Sequence, residues 1–237
     1  MISLHIVLRP ANLVPSPMQF IITNDGSHSL LNTELNETYH SVHGAVQESV
    51  HVFIKMGLEL LIDHGLKNIS ILEIGFGTGL NALLTVRESL KHPDLTIQYT
   101  SLEAYPLPEE IWSKLNYTDS IGLKEYFQKL HQSNWNIPEQ ILPNFTLFKQ
   151  QQTFQQVVFE SNKIDLIYYD AFAPSKQPEL WTMEMLSKVV STLKQKGVFV
   201  TYCAKGQLKR DLKALGFTVE TLEGPPGKKE MVRAVKD

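Results

Sequence analysis

Glu73, Gly75, Gly77 and Gly79 stand at alternate positions, just after the apolar run Ile69, Ile71, Leu72 and Ile74 and just before a helical pattern that starts near Leu80. An apolar run of that length makes a strand buried on both faces. A strand passing through glycines into a helix N-terminus is where an α/β fold receives a nucleotide-like cofactor. Glycine lets the backbone approach such a ligand more closely than a Cβ would permit. A dinucleotide site needs its third glycine at position 80, but that position is Leu80. A second acid, Asp170, follows another apolar run, Ile164 to Tyr169, and opens the segment Asp170-Ala171-Phe172-Ala173-Pro174. At the end of a central strand it faces the crevice where α/β sheets bind ligands. Glu103 closes a third run, Leu95 to Leu102, where such folds hold a ribose diol.

The elements that must carry these residues follow from the hydrophobic period. Strands are expected at 69–74, 95–102, 145–148, 164–169 and 197–202, with helices at 80–91, through Val157 and Phe159, from about Thr182, and at 205–215. Thr182 is a suitable N-cap. Residues 217–221 and 229–235 read as a closing antiparallel pair around the rigid basic turn Glu223 to Lys229. Ahead of this core lies an extension, 18–66. It starts with a hairpin whose turn is Asn24-Asp25-Gly26 and continues as an amphipathic helical stretch, 37–64, in one piece or two. Residues 105–140, with Trp112, Tyr117, Tyr126, Phe127 and Trp135, read as a helical insertion. Residues 1–17 carry three prolines and no period, which predicts a poorly ordered arm, and Met18 would serve as a start. The rest forms one domain, 18–237. Strand–helix alternation with a terminal hairpin predicts a Rossmann-like α/β fold with a seven-stranded sheet.

Bulk properties narrow the classes. The chain has 237 residues, 43% of them hydrophobic and 20% charged, as in a globular domain. Its single cysteine, Cys203, rules out an intrachain disulfide and suits a reducing, cytoplasmic setting. No apolar run reaches the ~18 residues of a membrane span. Net charge is −3, yet residues 188–237 hold 11 Lys and Arg against 5 Asp and Glu. That basic end suits a phosphate-facing surface as well as ordinary solvated helix faces. His40, His43 and His51 have no acid or cysteine partner at a metal-ligand spacing, so no metal is expected.

Four segments carry a family resemblance. Glu73-Ile-Gly-Phe76-Gly-Thr78-Gly-Leu-Asn81 resembles motif I of class I S-adenosylmethionine (SAM) methyltransferases. With it, Tyr39-His40-Ser41-x-x-Gly44-Ala45-x-x-Glu48-Ser49, Asp170-Ala171-Phe172-Ala173-Pro174-x-Lys176-x-Pro178-Glu179-x-Trp181 and Gly227-Lys228-Lys229-Glu230-Met231 resemble the methyltransferase half of MnmC-type tRNA-modifying enzymes and their stand-alone MnmD counterparts. The resemblance spans roughly 18–237.

The resemblance implies methyl transfer from SAM to the exocyclic amine of 5-aminomethyl(-2-thio)uridine at wobble position 34 of tRNA. SAM would lie against Glu73, Gly75, Phe76, Gly77, Thr78, Gly79, Asn81, Glu103, Gln151 and Asp170. Glu73 suits SAM because that ligand carries an ammonium and a sulfonium. Asp170 would also hold the amine in line and take or relay its proton. Phe172, Pro174, Lys176, Trp181, Lys205, Lys228 and Lys229 would face the anticodon arm. Relatives commonly carry Gly-Asp where this chain has Gln150-Gln151; a Gln oxygen can accept the same adenine hydrogen bond. Lys228-Lys229 stands where relatives often have Lys-Arg, with one bidentate donor fewer. The bifunctional members fuse an FAD-dependent oxidoreductase behind this half. Since the sequence ends at Asp237, methyl transfer without FAD is expected. Transfer to a different amine, including aminopropyl transfer, and a non-catalytic RNA-binding relative are the competing readings.

Overall fold

The computed structural model describes residues 18–237; the expected arm, 1–17, lies outside them. The chain opens with strands β1 (Met18–Ile22), β2 (His28–Asn32) and β3 (Glu37–Thr38), an antiparallel sheet whose first turn is the expected Asn24-Asp25-Gly26. Asp25 holds that turn by accepting from the Ser27 and Gln47 amides at 3.0 Å each. Next come α1 (Ala45–Ser49), a π-helical winding over Val50–Leu58, and α2 (Glu59–Asp63), which form the expected amphipathic stretch. Val52, Phe53, Ile54 and Leu58 are fully buried there, and the winding packs on the central sheet and on the helix Leu80–Lys91.

The core alternates β4 (Asn68–Ile74), α3 (Leu80–Lys91), β5 (Thr96–Glu103), β6 (Pro138–Leu142), β7 (Phe145–Gln151), β8 (Ile164–Tyr169), α7 (Met183–Val190), β9 (Leu193–Thr201), α8 (Gly206–Ala214), β10 (Phe217–Glu223) and β11 (Glu230–Lys236). Helices α4 (Glu109–Trp112), α5 (Tyr117–Ile121) and α6 (Lys124–Gln132) make up the insertion after β5. Strand order is β10-β11-β9-β8-β4-β5-β7-β6. Connections turn one way from β4 to β5 and β7, and the other way to β8 and β9. Ligands bind beyond the carboxyl ends of the strands at such a reversal. Here those ends are Ile74 and Tyr169, each one step from a residue singled out above, Gly75 and Asp170.

Two expectations are corrected. The sheet has eight strands, because Pro138–Leu142, whose first three residues fall in the expected helical insertion 105–140, forms an antiparallel edge on β7. Its residues Pro138, Glu139 and Gln140 are mostly exposed, as an edge permits. Residues 152–163 form turns, not a helix. Phe154 and Val157 are buried there, and Lys188 Nζ donates to the carbonyls of Phe154 and Gln155 at 2.9 and 3.0 Å. The lysine supplies partners that helical amides would otherwise provide.

Candidate active site

The glycine turn is built for close approach. Gly75 has φ +94° and Gly79 φ +73°, a region costly to any residue with a Cβ. A Cβ on Gly75 would come within 2.9 Å of the Asp170 carbonyl, and one on Gly79 within 2.8 Å of the His131 ring. The turn is held from beneath. Gly75 N donates to Leu102 O at 2.9 Å, and Gly77 N donates to Glu103 Oε2 at 3.1 Å. Glu103 also accepts from Tyr105 N at 2.8 Å, yet burial still holds its carboxyl above the usual range. Its strand-pair partner is Gln151, which is exposed at the same rim. Gln151 N donates to Asn136 Oδ1 at 3.0 Å.

Glu73 lies deeper, fully buried, and accepts from Ser101 Oγ at 2.6 Å. Burial pushes its carboxyl up to about 8; the Asp170 charge adds to the rise, while Ser101 opposes it. Its other oxygen, Oε1, has no partner in hydrogen-bonding geometry, although Tyr99 and Asn81 stand beside it.

Asp170 and Asn81 meet across the crevice. Asn81, in the first turn of α3, donates from Nδ2 to Asp170 Oδ2 at 2.8 Å; its Oδ1 is buried without a partner. Burial raises the Asp170 carboxyl to about 7; nearby Glu48 pushes the same way, and Asn81 and Lys228 oppose it. The following loop is fixed at several points. Tyr202 Oη donates to Ala171 O at 2.9 Å and Trp181 Nε1 to Phe172 O at 2.8 Å. Phe172 N donates to Gln177 Oε1 at 3.2 Å, and Tyr169 Oη donates to Leu180 O. Thr182 caps α7 as expected, accepting from Met185 N.

Of the residues expected to face substrate, Phe172 and Pro174 are half-buried on this loop, while Lys205 and Lys229 are exposed. Trp181 is buried and braces the loop. Lys176 donates to Leu35 O at 2.9 Å, tying the loop to the extension. Lys228 turns inward onto Glu48 at 2.5 Å.

The extension supplies residues absent from the expected site. His40 Nε2 and Thr78 Oγ1 share a buried hydrogen bond of 2.7 Å. The Tyr39 ring stands edge-on to Phe172, 5.0 Å between centroids, and 3.1 Å from where a Gly77 Cβ would lie. Glu48, buried, accepts from Ser41 N at 2.9 Å and pairs with Lys228. The polar spacing Tyr39-His40-Ser41…Glu48 was the available signal. From the insertion, His131 lies flat on Trp112 at 4.6 Å and reaches Thr78 O at 3.1 Å. Among the described residues no three His, Cys, Asp or Glu side chains are grouped to hold a metal ion. His51 reaches the Glu223 carbonyl at 2.8 Å.

These residues fit SAM. The glycine turn brings its backbone so close to the Asp170 carbonyl and to the Tyr39 and His131 rings that a Cβ would clash, and Glu73 Oε1 and Asn81 Oδ1 are buried polar atoms left without partners. Glu103 sits at the ribose position of such folds.

Residues 123–237 match the family model for S-adenosyl-L-methionine-dependent methyltransferases. The chain is 31% identical over 227 residues to the tRNA 5-methylaminomethyl-2-thiouridine biosynthesis bifunctional protein MnmC of Leptospira interrogans, covering 85% of this chain and 33% of that protein. It is 28% identical over 210 residues to the protein of the same description from Campylobacter hominis, covering 86% of this chain and 31% of that one. The chain thus spans about a third of the length of these curated relatives. Among solved structures, MnmC2 from Aquifex aeolicus superposes with a TM-score of 0.77 at 28% identity, covering 92% of this chain and 70% of that chain. In sequence over 85% of its length, and in fold over 92%, the chain is thus similar to MnmC-type proteins, and residues 123–237 match a methyltransferase family.

Proposed function

We propose that this domain transfers a methyl group from SAM to the exocyclic amine of 5-aminomethyl(-2-thio)uridine at the wobble position of tRNA, giving 5-methylaminomethyl(-2-thio)uridine. The observation that carries the reading is Asp170, held by Asn81 at the strand reversal, directly across from the glycine turn. Bound SAM supplies an electrophilic methyl group. The glycine turn and Glu103 would hold its nucleoside portion, with Gln151 at the outer rim.

Asp170 has two tasks in this reading. A primary alkylamine is mostly ammonium at neutral pH, and its lone pair is free only after a proton leaves. A carboxyl raised to about 7 accepts that proton more readily than an ordinary aspartate. Asn81 fixes one carboxylate oxygen, leaving the other to orient the amine, so much of the rate would come from positioning. The reading is confined to methyl transfer. Phe172 and Pro174 would meet the wobble nucleoside, and Lys205 and Lys229 the anticodon-arm phosphates. A cytoplasmic location goes with a tRNA substrate; among the described residues no helix is long and apolar enough to cross a membrane.

Nucleoside mass spectrometry of tRNA from a strain lacking the gene tests the proposal. Accumulated 5-aminomethyl(-2-thio)uridine, cleared when the gene is restored, is the expected result. An unchanged wobble profile would overturn it.

A further inference from the structure

Lys228 lies in the basic turn that closes the β10–β11 hairpin, where a lysine facing RNA phosphate would be extended and free. Instead its ammonium pairs with Glu48 at 2.5 Å and lies 3.8 Å from the centre of the Tyr202 ring. Glu48 is buried and its second oxygen is committed to Ser41 N. Tyr202 in turn donates to Ala171 O, next to Asp170. A buried carboxylate and an aromatic face together form a fixed seat for a cation. That seat adjoins the loop bearing the acid that the amine must meet.

We propose that Lys228 is a positioning residue of the amine site: Glu48 and the Tyr202 ring hold its ammonium beside the Asp170 loop, where it offsets part of the buried Glu48 charge that would otherwise hold a substrate amine as ammonium. A cation next to an amine lowers that amine's proton affinity, and the neutral form is the one whose lone pair attacks. In the transfer step the nitrogen lone pair forms the N–C bond, the departing thioether keeps the S–C electron pair, and the surplus proton on nitrogen passes to Asp170 or solvent. Lys228 gains and loses nothing. The inference rests on the proposed amine substrate and deepens it by assigning a group that offsets the acidic field acting on its protonation.

Other charged and titratable groups lie around this cluster. Asp170, Tyr202 and Cys203 come from the strand ends, Glu48 and His40 from the extension, Glu37 from β3, and Lys205 and Lys209 from the segment after β9. Within that field Glu48 and Lys228 act on Asp170 in opposite senses.

The test is a carbon NMR titration of the Asp170 carboxyl in the full chain, with thermal melts to verify folding. Lys228→Met keeps the stem without the charge and should raise the Asp170 midpoint by roughly 0.5 unit or more. Glu48→Gln should lower it, Lys228→Arg should leave it near wild type, and Lys228→Met with Glu48→Gln should return it toward wild type. In parallel, the salt dependence of tRNA binding by Lys228→Met should keep the wild-type slope. A folded Lys228→Met protein with an unmoved Asp170 midpoint overturns the proposal, as does a reduced salt slope, which would make Lys228 a phosphate contact. The titration needs no tRNA. A wild-type protein that fails to methylate the wobble amine would therefore sink the functional reading and leave this test standing.

Discussion

Asn81 Nδ2 donates to Asp170 Oδ2 at 2.8 Å, joining the first turn of α3 to the end of β8. The bond spans the point where the sheet reverses its strand order, so it ties the cofactor turn to the acid that would meet the acceptor. Removing either partner should affect a different step. Asp170→Asn should lower methyl transfer by about 100-fold or more, a typical loss for a positioned acid–base group, while SAM binding by calorimetry stays within a few-fold of wild type. Asn81→Ala frees the carboxylate and should weaken both.

The pH profile should report the same carboxyl. Asp170 is raised to about 7, so it is protonated below that pH and cannot accept a proton. kcat/KM should climb with pH through about 7, and the Asp170→Asn protein should lack that step. A flat wild-type profile between pH 6 and 8 would exclude Asp170 as the acceptor.

Glu73 makes the opposite kind of prediction, about stability. Burial holds its folded carboxyl at about 8 against the usual 4.5 of a glutamate. Below the unfolded value both states are protonated and the stability is fully present. As pH rises from there to about 8 the unfolded chain ionises first, so stability falls, by an amount on the order of a few kcal/mol. Glu73→Gln should remove most of that decline in denaturant titrations from pH 5 to 8. An equal decline in both proteins would place the shift elsewhere.

Gly75→Ala should fold poorly or bind SAM at least about 10-fold more weakly. The new methyl group needs φ +94° and meets the Asp170 carbonyl at 2.9 Å; the strain alone is about 1–2 kcal/mol. Unchanged SAM affinity in calorimetry would contradict the close approach assigned to this turn.

Lys229, exposed beside the inward-turned Lys228, is the lysine of that turn that would meet RNA under the proposed function. Lys229→Ala should lower the slope of log affinity against log salt for tRNA by about 1, with SAM affinity unchanged. A full wild-type slope would make it an ordinary solvated side chain.

The sequence made the parallel core legible because strands buried on both faces are continuous apolar runs. Helix α3 and strand β8 fall at the expected residues, 80–91 and 164–169. Strand β6 escaped notice because Pro138-Glu139-Gln140 at an edge has no such run. The helix expected through Val157 and Phe159 rested on too few apolar anchors, and Lys188, far along the chain, satisfies the carbonyls instead. In the site, the glycine turn, Glu103 and Asp170 could be placed from strand ends alone. His40 on Thr78 and Glu48 on Lys228 join residues 38 and 180 positions apart, and no local period reports such pairings.

The central claim is tested most directly with purified protein, isotopically labelled SAM and tRNA bearing 5-aminomethyl(-2-thio)uridine. Nucleoside mass spectrometry should find the label on the wobble side-chain nitrogen with wild-type protein and almost none with Asp170→Asn. Label at any other nucleoside or atom, or equal labelling by the variant, would contradict the account.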